Sequence, residues 1–240
     1  MISIVSLIYK SPRYADSVFD SLMENTEELR DGRAEFFFVA NGASREVIEH
    51  LDDRMLMYVV NNPEHVYDAD LANRGLAPPA YMTQVYSGWN VAIENAADTV
   101  VLVNSDHVFT PGWLTELMAR WNKYTVLSPL TVEPGPNPFP PHINGTGAVQ
   151  VDCGRHPDGF DKQKFLSVRG YHNLMSDGGA YMPCVFSREM AQKAGCYPEG
   201  NPVGDYGDRV FFRELCHLGV KHTTVHDSVV YHFHEGEMRE

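Results

Sequence analysis

The stretch Val100-Val-Leu-Val-Asn-Ser-Asp106 constrains the fold of this chain more than any other segment. Four consecutive apolar residues with a β-branched bias read as a strand buried on both faces, as parallel α/β sheets require. Asn104 and Asp106 sit two residues apart where that strand ends, and open α/β sheets place their ligands at the carboxyl ends of strands. A carboxylate there can hold a divalent cation, and a cation can hold a diphosphate. Asn-Ser-Asp is also ordinary turn chemistry, and the triplet alone favours the turn.

The rest of the first half alternates strand and helix. A strand over residues 2–8 precedes Ser11-Pro12, an N-cap followed by proline at the first helical position. Ala15, Val18, Phe19, Leu22, Thr26 and Leu29 then recur at helical spacing. A second buried strand over residues 35–40 ends in Asn41-Gly42, Ser44 caps a short helix to about Leu51, and residues 55–60 read as a third strand. Beyond a loop rich in Asn, Asp and Pro, Val85, Trp89, Ile93 and Ala96 mark a helix that feeds the Val100 strand. Thr110-Pro111 opens another, with Leu114, Leu117, Met118 and Trp121 on one face. This alternation predicts an α/β fold with a Rossmann-like, mostly parallel twisted sheet flanked by helices.

The second half is less regular. Pro134-Gly-Pro-Asn-Pro-Phe-Pro-Pro141 excludes helix and central strand. The span from about Pro129 to Asp177 reads as one long functional or mobile connection. Order returns with a strand over residues 180–186 and a helix capped by Ser187 and closed by Gly195. A helix over residues 208–218, closed by Gly219, precedes a final strand near residues 228–233.

A length of 240 residues suits one large domain or two small ones. The formal net charge of −13 disfavours a surface that tracks nucleic-acid phosphates. The N-terminal run is too short to span a bilayer and has no basic flank, so it reads as a strand and not as a signal or anchor. Cys153, Cys184, Cys196 and Cys216 have neither zinc-like spacing nor the density of a disulfide framework, which points to free thiols in a reducing cytoplasm. Without a signal peptide, the sequon at Asn144-Gly-Thr146 would not meet the glycosylation machinery.

Two further groups carry chemistry. Strand alternation in Val229-Val-Tyr-His-Phe-His234 puts His232 and His234 on one face, either as metal ligands or as a polar rim. Asp208 opens the helix that follows Gly204-Asp-Tyr-Gly, where the dipole and free amides are expected to keep it ionised. It reads either as a general base or as a plain N-cap.

In order along the chain stand Asn41-Gly42, Gly88-Trp-Asn90, Asn104-Ser-Asp106, Pro111-Gly-Trp113, Gly207-Asp208, Gly219 and Tyr231-His232. Together they resemble the glycosyltransferase A fold, and more narrowly the family-2 glycosyltransferases, over nearly the whole chain. The resemblance implies a single domain over residues 1–240, with a nucleotide-sugar-binding half at 1–125 and an acceptor-binding, catalytic half at 126–240. Asp106 would bind a divalent metal ion, Mn²⁺ or Mg²⁺, with His232 as second ligand and His234 as substitute. Asn41, Asn90, Asn104 and Ser105 would contact the nucleotide-sugar, and Gly178-Gly179 would let backbone approach a substrate closely. Asp208 would deprotonate the acceptor hydroxyl in an inverting displacement. Asn104 stands where the family has an acid, at the cost of one negative charge. Gly207 also replaces an acid, which keeps Asp205 as a rival base.

The implied donor is a UDP-, GDP- or dTDP-sugar, and the implied acceptor a glycan, a protein or a small molecule. Tyr171, His172 and Asp177 fall where an acceptor loop is expected. Trp89, Trp113 and Trp121 read as core, with Trp113 alone placed to border an acceptor cleft. The rival readings are a metal-dependent hydrolase, a nucleotidyltransferase and a non-catalytic nucleotide-sugar-binding protein.

Overall fold

The computed structural model describes residues 1–63, 78–135, 148–168, 170, 172–198, 207–233 and 236–237. Four parallel strands lay down its frame: Ile2–Ile8 (β1), Ala34–Asn41 (β2), Tyr58–Asn61 (β3) and Thr99–Val103 (β4), in the order β3-β2-β1-β4. All five residues of β4 are buried because helices cover both faces of the sheet. Val101 and Val103 pack with Val18 and Leu22 of Pro12–Asn25 (α1) and with Val47 and Leu51 of Arg45–Asp53 (α3). Val100 and Leu102 face the other way, against Tyr86, Trp89 and Ile93 of the long helix Pro78–Asn95 (α4). The short helix Glu27–Arg30 (α2) follows α1. The caps are where the sequence puts them: Ser11 Oγ accepts from Tyr14 N, and Ser44 Oγ accepts from Val47 N at 3.3 Å.

Beyond β4 the elements are His107–Phe109 (β5), Trp113–Met118 (α5), Thr125–Glu133 (β6), Val149–Gln150 (β7) and Lys162–Ser167 (α6). Then come Met175–Asp177 (β8), Cys184–Ser187 (β9), Arg188–Lys193 (α7), Gly207–His217 (α8) and Lys221–His232 (β10). The sheet continues β4-β9-β6-β10-β5, with β9 antiparallel to β4 and β6, and β10 parallel to β6. Parallel pairing on one side of β4 thus gives way to mixed pairing on the other. The antiparallel match of β5 to β10 sets His107 opposite His232.

Several boundaries differ from the sequence expectation for local reasons. Pro129 lies inside β6 rather than at the start of a long connection. It is tolerated there because β10 shifts register between Val225 and Val229, just where it faces Pro129, and a bulge removes the need for a proline N–H. β10 itself begins at Lys221, well before the expected residue 228. Pro111 does not start a helix. Gly112 takes a left-handed conformation (φ +77°), and α5 opens at Trp113. Trp121 lies beyond the end of α5, half-buried against the core. The sequon at Asn144 falls outside the described residues.

Trp113 is fully buried, donates Nε1–H to Thr26 Oγ1 at 2.9 Å and packs on Phe109, so it borders no cleft. The four cysteines are free. Among the described residues no helix is long and apolar enough to cross a membrane. Trp113→Ala is expected to lower the unfolding free energy by about 3–5 kcal/mol through lost burial and a residual cavity. Urea denaturation measures this, and a loss under about 1 kcal/mol would remove Trp113 from the core.

Candidate active site

β4 ends in a tight turn that is closed by its own side chain. Asn104 N–H donates to His107 Nδ1 at 3.0 Å, and His107 N–H donates to Asn104 O at 3.3 Å. The turn chemistry of Asn-Ser-Asp and its position at a strand end are therefore one feature, and it holds Asp106 at 7% exposure beside the end of β10. Phe233 N–H donates to Asp106 O at 3.1 Å, which ties the two segments together. His232 Nε2 lies 3.1 Å from Asp106 Oδ2, while its Nδ1 lies 3.1 Å from Glu133 Oε1 at the end of β6. Glu133 is buried.

The electrostatics follow from this row. Burial pushes the His232 imidazole towards the neutral form, but the Asp106 and Glu133 carboxylates outweigh it and raise its pKa to about 10. Burial pushes the Asp106 carboxyl up, and the charge and hydrogen bond of His232 bring it down to about 2. Burial, helped by the charge of His232, lowers His107 to about 3, so it is neutral at pH 7. Its Nδ1 accepts from Asn104 N–H, so Nε2 carries the proton.

These groups suit a cation. Asp106 Oδ1 is buried and has no hydrogen-bond partner among the described residues. Asp106, His107 and His232 each offer an atom within 4.8 Å of the others. Glu133 fixes the orientation of His232 as a carboxylate behind a metal-bound imidazole does, leaving Nε2 directed at Asp106. His107 fits less well as a ligand, because ligation through Nε2 would move a proton to Nδ1 and strand the Asn104 amide.

Asn104, Ser105 and Asp106 border a cleft with Tyr9, Asn41, Gln84, Trp89, Gly236 and Glu237. Asn41 Nδ2 donates to Gln84 O at 3.0 Å, and Gln84 Nε2 returns a bond to Asn41 O at 2.8 Å. Asn61 Nδ2 donates to Asn41 Oδ1 at 2.8 Å, so amides gather at the ends of β2 and β3. Gly88 is required here, since a Cβ would sit 2.8 Å from Asn41 Nδ2.

Asp208 stands apart from that group. Its N–H donates to Tyr86 Oη at 3.3 Å and its Oδ2 accepts from the same hydroxyl at 3.4 Å. Burial raises its pKa to about 6, against the expectation that the helix N-terminus holds it low. The reason is that Tyr86 is its one hydrogen-bonding side chain among the described residues, so desolvation wins. Gly207 is explained by the same contact, because a Cβ there would run into the Tyr86 ring. The two sites share α4, which sends Gln84 and Trp89 to the cleft and Tyr86 to Asp208.

Other expected residues are placed elsewhere. Both ends of the Asn90 amide are engaged by the backbone of Tyr197 at 2.9 Å, so Asn90 braces α4 rather than lining the cleft. Gly178 and Gly179 do allow close approach, but by this chain's own strands. A Cβ on Gly179 would come within 3.0 Å of Thr224, His222 and Ser128, and Gly178 bridges to Thr223. His172 pairs with Asp227 on the surface, and exposed Asp177 is paired in register with Thr223. Asp205, His234 and Tyr171 fall outside the described residues.

Sequence reasoning missed His107, Glu133, Gln84 and Glu237. Glu133 had a signal, an apolar run ending in a carboxylate like that before Asp106, but Pro129 concealed the strand.

No protein-family model matches the chain, and no curated protein matches it. Solved structures do. GalNAc-T7 with UDP, GalNAc and Mn²⁺ matches 97% of this chain with a TM-score of 0.60 at 13% identity. S. aureus TarS 1–349 in complex with UDP-GlcNAc matches 98% with a TM-score of 0.59 at 12% identity. The chain has the glycosyltransferase A fold. A third glycosyltransferase A structure, the mannosyltransferase PcManGT from Pyrobaculum calidifontis in complex with GDP-Man and Mn²⁺, matches 96% with a TM-score of 0.55 at 13% identity. The chain spans 43%, 61% and 56% of these three chains respectively, and at such identities the likeness carries the fold.

The Asp208 environment predicts a stability effect with a definite sign. A carboxyl whose folded pKa is raised from 3.8 to about 6 loses its folded-state advantage as pH rises through that range. Asp208→Asn, which carries no charge to bury, is expected to stabilise the protein by roughly 1–3 kcal/mol at pH 8 and by nothing below about pH 4. Urea denaturation at the two pH values checks this, and an equal effect at both would refute the buried-charge account.

Proposed function

We propose that this chain transfers a sugar from a nucleoside-diphosphate sugar to an acceptor hydroxyl, with inversion at the anomeric carbon. The observation that carries the reading is the buried Asp106 carboxylate just beyond β4, whose Oδ1 has no partner among the described residues while its Oδ2 faces a histidine oriented from behind by a second carboxylate. Asp106 and His232 would hold the divalent ion, with His232 giving up its Nε2 proton when the ion binds and Glu133 retaining the proton on Nδ1. Bound there, Mn²⁺ or Mg²⁺ supplies charge stabilisation to the departing diphosphate. Asn104 and Ser105 lie beside it for the donor, and the amides of Asn41 and Gln84 frame the nucleobase end of the cleft. Residues 1–125 would serve mainly the nucleotide-sugar and residues 126–240 the acceptor, with the metal ligands drawn from both.

Asp208 is the proposed base. Its pKa of about 6 suits a group that must be ionised at neutral pH yet able to take a proton, and Tyr86 holds its carboxylate in place. Asp205 and His234 enter as alternatives to Asp208 and His232. The acceptor, on this reading, is a glycan, a protein or a small molecule, and the donor a UDP-, GDP- or dTDP-sugar.

The first test is a thermal-shift screen of UDP, GDP, dTDP and CDP, each with and without Mn²⁺. Ligand at about 100 times its Kd adds roughly 2.7 kcal/mol. A metal-dependent shift with one nucleotide, abolished in Asp106→Ala, is the expected result. A shift with metal alone and none with any nucleotide would favour a metal-dependent hydrolase instead.

Asp208→Asn is expected to keep nucleotide binding but lower the transfer rate by roughly 10²–10⁴-fold. The wild-type rate should fall as pH drops through about 6, because a protonated Asp208 accepts nothing. The same rate loss in Asp205→Asn, with Asp208→Asn spared, would move the base to Asp205.

A further inference from the structure

The cleft has a wall that the donor reading does not require. Near the C-terminal end of the chain, Glu237 is only 8% exposed, and its carboxylate is satisfied on both oxygens. Oε2 accepts from three successive backbone amides of the loop after β1: Tyr9 at 3.0 Å, Lys10 at 2.8 Å and Ser11 at 3.0 Å. Oε1 accepts from Ser105 Oγ at 2.8 Å. Successive N–H groups converging on one point form a concavity selective for an anion. A buried carboxylate is costly unless it is satisfied in this way. The position therefore calls for an acid, and its location decides what the acid does.

Residues 232 and 237 are both fastened to one turn. His232 meets Asp106, Glu237 meets Ser105, and Phe233 N–H bonds the Asp106 carbonyl. Gly236 lies between the fastenings with φ +53°, and a Cβ there would touch Asp106 Oδ2 at 3.5 Å. Gly236 and Glu237 line the same cleft as Tyr9, Ser105 and Asp106.

We propose that Glu237 is a positioning residue: it is latched to the loop after β1 and to Ser105, so that Gly236 and Glu237 form one wall of the nucleotide cleft. This rests on the reading of the cleft as a nucleotide-sugar site. Glu237 orients Ser105 and the Tyr9 loop, while Asp106 and His232 keep their own contacts without it.

Glu237→Gln tests the idea, since it keeps shape and one acceptor but removes the charge that the three amides recognise. Hydrogen exchange reads the latch without any ligand, and titrations of the full chain with Mn²⁺ alone, then with UDP and GDP in saturating Mn²⁺, read the cleft. The expected result has three parts: faster exchange at Tyr9, Lys10 and Ser11, unchanged affinity for Mn²⁺ alone, and nucleotide affinity lower by about 10–100-fold. Adding Ser105→Ala to Glu237→Gln should then cost less than Ser105→Ala costs alone, because both act through one bond. Unchanged exchange at the three amides would overturn the latch. Faster exchange with unaltered nucleotide affinity, or parallel losses for Mn²⁺ and nucleotide, would overturn its role in the cleft. If wild-type protein bound neither UDP nor GDP, the donor-site reading would fail first and this one with it, an outcome distinct from binding that Glu237→Gln leaves intact.

Discussion

One half-buried imidazole between two buried carboxylates organises the functional end of this molecule. Asp106, His232 and Glu133 come from the ends of three strands, and the row joins them where the backbone ladders stop. Buried ion pairs seldom stabilise more than apolar groups of the same volume would, yet breaking one leaves an uncompensated charge. The row is therefore poor as a fold stabiliser and demanding as a constraint, since each member requires the other two. An open carboxylate oxygen at its end gives that constraint a purpose, because a cation there completes what the protein leaves unsatisfied.

The second carboxylate is handled by the opposite physics. Among the described residues Asp208 is held by the Tyr86 hydroxyl alone, so desolvation raises its pKa where partner charges lower that of Asp106. Two acids pushed apart in this way can divide the labour of one reaction, one permanently charged and one able to gain a proton. Helix α4 makes the division possible by reaching both places. Its glycine, Gly88, admits Asn41 at one, and its tyrosine excludes any side chain at residue 207 at the other.

Much of the fold was legible because it rests on local rules. The two-faced burial of β4 follows from its four apolar residues, and the starts of α1 and α3 follow from Ser11 and Ser44. Pro129 misled because local preference argues against a strand, whereas a bulge in the neighbouring β10 makes the proline harmless. Asn90 and the Gly178-Gly179 pair misled in a different way. Their residue types suit a ligand site, but Tyr197, Thr224 and His222 use them first.

The chain's sequence by itself determined the alternation of strands and helices, the placement of Asp106 at a strand end and the presence of an imidazole at His232. These depend on neighbours within a few residues, where spacing and capping decide. Only the tertiary structure decided that β10 runs antiparallel to β5, which brings His232 to Asp106 and sets Glu133 behind it. It alone also decided that the pKa of Asp208 is raised and that Glu237 lines the cleft, bonded to a loop more than 220 residues away along the chain. Burial and long-range hydrogen bonds set protonation and reach, and neither is written in any local pattern.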